Sequence, residues 1–217
     1  MHSDSERKSA TVLFLRHGQT DYPKDRYYDD AIKDPPLNAA GRKQARLWPD
    51  YLATYPQPIV GVYASPSRRT QETADLAADR LSVDCTTMAG LQEWRFGHWG
   101  GLTADEIRSK HPEEWRAWRK DILHFTPSGG ESLSLFSKRV NEAAAALVSK
   151  HAGEAMLVVT HAGVIRMIVA AALGMPLTHF KRLVVGHGSI TRIEYTDRWP
   201  NLHTFSFYPT TSHEETR

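Results

Sequence analysis

The chain has 217 residues, of which 41% are hydrophobic and 24% charged, the balance of a soluble globular protein with a sizeable core. Its 27 basic and 25 acidic residues leave a formal charge of +2, too little for a global field that recruits nucleic acid, so any attraction for anions must be local. The single Cys85 excludes an intrachain disulfide, no apolar run reaches the roughly 20 residues of a membrane span, and the polar stretch Met1 to Lys8 lacks a signal-peptide core, so a cytoplasmic protein with neither nucleic-acid nor membrane partner is expected.

Residues 1–10 and 210–217 are polar and expected to fray. The first strand is predicted at 11–16, in the apolar run Val12-Leu13-Phe14-Leu15, and it ends in Arg16-His17-Gly18. Gly18 lets the backbone turn sharply, which leaves Arg16 and His17 at the carboxyl edge of a sheet, where open α/β folds bind ligands. An imidazole can attack phosphorus, and a guanidinium can hold phosphate oxygens through a bidentate fork. A lone histidine at a strand end is more often a simple cap, so other segments must decide. The polar stretch 21–36 carries Tyr22, Tyr27 and Tyr28 and reads as a mouth or lid loop. A helix is predicted at 39–54, bent or shortened by Pro49.

A strand at 59–63 leads into Ser65-Pro66-Ser67-Arg68-Arg69 and a helix at 66–80. Ser65 is placed as N-cap with Pro66 at the first helical position, so Arg68 falls in the first turn. The macrodipole disfavours a cation there unless a bound anion shares the site. Arg69 reads as surface decoration. A short strand at 83–87 precedes Glu93, which sits among Leu91, Trp94, Phe96 and Trp99. Desolvation by those neighbours would raise a carboxyl toward the range of a general acid, and a solvent-facing loop position is the equal alternative.

Helices are predicted at 103–120 and 132–151, the second with Leu133, Phe136, Val140, Ala143, Ala144 and Leu147 on one face. The stretch 94–131 departs from strand–helix alternation and reads as a small helical cap inserted into one domain spanning 1–217. Trp115 and Trp118 are expected to pack that cap on the core, while Trp94 and Trp99 divide evenly between packing and substrate stacking. A strand at 155–160 ends in His161-Ala162-Gly163 before a helix at 163–173, repeating the placement of His17. A short helix at 176–181 and strands at 190–196 and 202–207 complete the chain. Alternating strands and helices imply a three-layer α/β/α sandwich around a mostly parallel sheet.

From Leu13 to about Ile193 these motifs, in this order, resemble the histidine phosphatase superfamily, also called phosphoglycerate mutase-like. Leu15-Arg16-His17-Gly18 is similar to the signature carrying the nucleophilic histidine, and Pro36 to Ala45 to the segment opening the first long helix. Ser65-Pro66-Ser67-Arg68 resembles the segment bearing the second phosphate-binding arginine, Glu93 the acid/base carboxylate, and Thr160-His161-Ala162-Gly163 the second histidine. The resemblance implies a phosphomonoester hydrolase working through a phosphohistidine on His17. Arg16, Arg68 and His161 would surround the phosphoryl group, with Gln19, Thr20 and Ala162 beside it and Glu93 serving as acid and base. It implies a small phosphorylated metabolite as substrate, with no cofactor and no metal.

Phe96 to Leu102 and Ser128 to Leu133 look like stretches of alpha-ribazole phosphatase and its kin. Tyr22-Pro23 stands where cofactor-dependent phosphoglycerate mutases carry Trp-Asn, so a mutase is the alternative enzyme and a catalytically silent phospholigand-binding module the alternative class. His187 stands where many relatives carry Asn, and its role is open, as is the oligomeric state.

Overall fold

The computed structural model describes residues 9–209, so the fraying expected at 1–8 and 210–217 lies outside the described residues. Ala10, expected to fray, instead opens the first strand and is buried. In chain order the elements are β1 (Ala10–Arg16), α1 (Ala39–Ala45), α2 (Trp48–Ala53), β2 (Ile59–Ala64), α3 (Arg68–Leu81) and β3 (Cys85–Thr87). There follow α4 (Ala104–Lys110), α5 (Pro112–Lys120), α6 (Leu133–Lys150), β4 (Ala155–Thr160), α7 (Ala162–Ala172), β5 (Ile190–Tyr195) and β6 (Pro200–Phe207). Short 3-10 turns lie at Ala89–Leu91, Gly97–Trp99 and Leu177–Arg182.

The sheet order is β3-β2-β4-β1-β5-β6. The first four strands run parallel, and β5 and β6 are antiparallel to their neighbours. Side chains alternate across β1: Val12 and Phe14 join the apolar faces of α6 and α7, while Leu13 and Leu15 meet Trp48 and Leu52 of α2 and Ala74, Ala77 and Ala78 of α3. Helices therefore cover both faces, giving the expected three-layer α/β/α sandwich. All six residues of the α6 stripe are buried. Among the described residues no helix is long and apolar enough to cross a membrane.

The pairing of β1 with β4 places the site. Arg16 stands opposite Thr160, and the His17 amide donates to the Thr160 carbonyl at 2.9 Å. The next residue on each strand, His17 and His161, therefore leaves the sheet beside the other.

Three helices differ from expectation, each around a proline. The helix expected at 39–54 is two helices, broken at Arg46-Leu47, and Pro49 sits in the first turn of α2, where no N–H is needed. The helix expected at 103–120 divides at His111, because Pro112 cannot donate to the preceding turn and opens α5 instead. The third, α3, starts at Arg68 with Ser67 as N-cap, two residues later than the sequence suggested.

Candidate active site

The turn after β1 is held from several sides. Gly18 and Gly41 pack backbone against backbone: a Cβ on Gly18 would overlap the Gly41 carbonyl, and one on Gly41 the Gln19 backbone. Asn38 caps α1 by accepting from the Gly41 amide at 2.8 Å, and its own amide donates to the Gln19 carbonyl at 3.0 Å. The Gln19 amide donates to Gln44 Oε1 at 2.9 Å. Across the turn the Gly188 amide is shared between the Arg16 and His17 carbonyls, and Trp48 Nε1 donates to the Gly188 carbonyl at 2.7 Å. A histidine gripped in this way has little freedom left.

Nδ1 of His17 lies 2.7 Å from the Gly18 carbonyl, which can only accept. Nδ1 therefore carries the proton, and Nε2 turns a lone pair outward. Burial holds the His17 imidazole well below its ordinary pKa, and the Arg69 and Arg16 cations push in the same direction. The His161 ring lies 5.3 Å away, centroid to centroid, and is wholly buried. Its Nδ1 accepts from Arg69 Nη2 at 2.8 Å, and its Nε2 pairs with Ser65 Oγ at 2.8 Å. Burial, then Arg69, lowers this imidazole too.

Arg16 donates from Nη1 to the Val185 carbonyl at 2.6 Å and from Nη2 to His187 Nε2 at 2.7 Å. Its Nε is buried without a partner among the described residues, a donor waiting for an acceptor. Burial pulls the Arg16 pKa down to about 10, against the opposing pull of Glu93. His187, its ring centroid 5.5 Å from that of His17, thus orients Arg16, and burial followed by Arg16 brings the His187 pKa down to about 4.

The second arginine brought to the histidines is Arg69, not Arg68. Because α3 starts late, Arg68 is its first residue and points outward, with its side chain 63% exposed and paired to Glu72 at 2.7 Å. The anion at this helix end is a carboxylate of the chain itself, Asp34, which accepts from the Arg68 amide at 2.8 Å. One residue on, Arg69 turns inward and is 2% exposed. Its Nε donates to His17 Nε2 at 3.2 Å, and Nη1 meets Asp30 at 2.9 Å and the Tyr28 hydroxyl. Its guanidinium also lies over the Tyr28 ring at 4.1 Å. The reading as surface decoration fails because its acceptors come from the residues just past β1 and β4 and from the 21–36 loop.

Glu93 is half-buried rather than solvent-facing. Its carboxylate accepts from the Trp94 amide at 3.0 Å and from the Gly163 amide at 3.0 Å, near the amino end of α7. A Cβ on Gly163 would overlap that carboxylate, so the glycine of His-Ala-Gly makes room for Glu93. A buried pair supports this segment. Glu131 and Arg139 bond to each other, Arg139 also donates to the Gly90, Gln92 and Glu93 carbonyls, and Glu131 accepts from the Arg95 amide. Nothing in the local sequence joins Arg139 to Glu93. Trp94, Trp99 and Trp118 are buried in the core, so all three pack rather than stack a ligand.

These groups line an open cleft of about 460 Å³ that includes Arg16, His17, Arg69, Glu93 and His187, with Gln19, Thr20, Tyr22, Lys24 and Tyr28 at its sides. The 21–36 segment does form the mouth. His161 is fully buried, bonded to Arg69, and does not line the cleft. Ala162, expected beside the phosphoryl group, opens α7 and does not line the cleft, and Arg68 lies outside it as well.

Residues 12–207 match the model of the histidine phosphatase superfamily (branch 1). A bifunctional protein of Mycobacterium tuberculosis is 34% identical over 184 residues, covering 85% of this chain and 50% of its own length, so the chain spans about half of that relative. Phosphoserine phosphatase 1 of Hydrogenobacter thermophilus is 28% identical over 188 residues, covering 86% of this chain and 87% of its own. The crystal structure of an alpha-ribazole phosphatase from Shigella flexneri superposes with a TM-score of 0.79 at 27% identity, covering 91% of this chain and 96% of that one.

Proposed function

This chain belongs to the histidine phosphatase superfamily, and on that footing we propose that it hydrolyses a small phosphorylated metabolite through a phosphohistidine on His17. The observation that carries this reading is the pinned tautomer: Nδ1 of His17 is committed to the Gly18 carbonyl, so the lone pair on Nε2 faces the cleft beside two guanidiniums. A phosphomonoester enters with its oxygens toward the unpartnered Nε of Arg16 and the inward edge of Arg69. Arg69 Nε gives up the neutral imidazole for an anionic oxygen, a stronger acceptor.

His17 Nε2 attacks phosphorus as the bond to the leaving oxygen breaks, and Glu93 delivers a proton to that oxygen. In the second half, Glu93 takes a proton from water, the water oxygen bonds to phosphorus, and the phosphorus–nitrogen bond breaks to free His17 and phosphate. Charge developing on the equatorial oxygens meets Arg16 and Arg69, donors fixed before the reaction begins. His161, anchored by Ser65, accepts from Arg69 and holds it. Two arginines supply the positive charge, so the scheme requires no metal at the phosphoryl group.

A panel containing alpha-ribazole phosphate, phosphoserine, sugar phosphates and phosphoglycerates tests the reading. Phosphate release by the wild type, absent in His17→Ala, is expected. Conversion of 3-phosphoglycerate to 2-phosphoglycerate with a bisphosphoglycerate primer, without phosphate release, would identify a mutase instead. Tight binding with no turnover on any ester would identify the silent module.

A further inference from the structure

The cap carries a second cluster of chemical groups that the phosphoryl chemistry does not use: His98, His111 and Glu114. His98 lies in the turn Gly97–Trp99, His111 at the α4–α5 junction, and Glu114 in the first turn of α5, three residues beyond His111 and so on the same helix face. One ligand atom from each lies within 4.8 Å of those of the other two. The two imidazole rings stand 4.8 Å apart at 83°, edge to face.

The hydrogen positions at His98 leave a problem that a cation solves. Nδ1 of His98 lies 3.2 Å from the Ser128 carbonyl, which can only accept, so Nδ1 carries the proton of the neutral ring. Nε2 is then a bare lone pair, 3.0 Å from Oε2 of Glu114. Both atoms are inaccessible to water, and neither makes a hydrogen bond among the described residues, so the contact is too poorly aligned for a proton shared between them. Two acceptors face each other across a gap into which His111 brings a third.

From this geometry we propose that His98, His111 and Glu114 bind a divalent transition-metal ion, with Zn²⁺ as its probe. Two imidazoles and a carboxylate suit zinc and its neighbours rather than Mg²⁺, which prefers an all-oxygen octahedron. Zinc bonds of about 2.0–2.1 Å put tetrahedral ligand atoms roughly 3.3 Å apart, so the cluster needs a contraction of about 1.5 Å at its widest. The bond from His98 Nδ1 to Ser128 is the outer contact that fixes tautomer and ring direction in metal-ligating histidines. The ion would tie the Gly97–Trp99 turn to α5. That turn also holds the mouth loop, since the Gly97 amide donates to buried Asp29 at 2.6 Å. The role is therefore to brace the cap, apart from the phosphoryl site.

Calorimetry with tag-free, chelator-stripped protein tests this, titrating ZnCl₂ and, separately, MgCl₂. One Zn²⁺ per chain is expected, with little response to Mg²⁺, and His98→Gln, His111→Gln and Glu114→Gln should each weaken zinc binding at least about tenfold. His203→Gln and His124→Gln remove exposed histidines that also sit beside carboxylates, and these should leave it unchanged. Zinc should raise the melting temperature of the wild type and not of His111→Gln. X-ray absorption of the loaded protein should show two imidazoles, a check that does not rest on any variant folding. No zinc uptake would overturn the site, as would uptake indifferent to His98 and His111 or an absorption spectrum without imidazole. Turnover that survives chelation while the melting temperature falls would separate this site from the proposed catalytic one.

Discussion

Replacing Arg69 and Arg68 in turn separates the two neighbours by their surroundings. Arg69 is 2% exposed and directs Nε to His17 at 3.2 Å, Nη2 to His161 at 2.8 Å and Nη1 to Asp30 at 2.9 Å. Losing one preorganised donor to a developing oxyanion costs about 10²–10³ in kcat, roughly 2.7–4 kcal/mol, and Arg69 offers a planar fork. Arg69→Ala should therefore lose about 10³-fold or more in kcat/KM on p-nitrophenyl phosphate. Arg69→Lys keeps the charge but cannot span the three partners, and about 10²-fold is expected. Arg68 makes an exposed i,i+4 pair with Glu72, a contact worth about 0.3–0.5 kcal/mol, so Arg68→Ala should stay within about threefold. Arg69 also depresses the His17 and His161 pKa values, so its loss should move the acid limb of the pH–rate profile to higher pH. An Arg68→Ala loss equal to that of Arg69→Ala, or an unmoved acid limb, would refute the assignment.

Glu93→Gln should slow alkyl phosphates far more than aryl phosphates, whose leaving groups need no proton, and equal losses would remove Glu93 from the acid role. Arg139→Met leaves buried Glu131 with only the looser contact to Arg95 at 3.8 Å, and breaking a buried pair costs about 3–5 kcal/mol. At about 2–4 °C per kcal/mol for a chain of this size, calorimetry should show a drop near 10 °C together with a slower acid step, and an unchanged melting temperature would mean that the pair is dispensable. His17, His161 and His187 all titrate lower when folded, so the unfolded chain takes up protons first as pH falls below about 6.5. Stability should be full above that pH and decline below it. His187→Asn should make the decline between about 6.5 and about 4 shallower, and an identical slope in denaturant titrations would contradict the depressed value.

Much of the fold was legible because its signals are local. Apolar runs ending in Arg-His-Gly and His-Ala-Gly marked β1 and β4, and the stripe from Leu133 to Leu147 marked α6. The meeting of His17 and His161 could be suspected from two strands ending alike, but it follows from a register, Arg16 opposite Thr160, that no local pattern contains. Arg69 was missed for a related reason. Two adjacent arginines at a helix start are told apart only by where the helix begins, and here the acids Asp30 and Asp34, more than thirty residues upstream, cap Ser67 and Arg68 and draw Arg69 inward. The hand of Arg139 on Glu93 was invisible in the same way, as a helix residue reaching back to loop carbonyls.

The most direct test is rapid acid-free quenching during turnover, followed by mass spectrometry of the peptide that contains His17. With an aryl phosphate as substrate Glu93→Gln serves as the trap, because its leaving group needs no proton and the transfer from water in the second half is the step that slows. A phosphoryl group on His17 that is labile to acid, forms as fast as the leaving group departs and is absent from His17→Asn is the result expected. Steady release of phosphate with no adduct on His17 at any time, or with His17→Asn still turning over, would contradict the account.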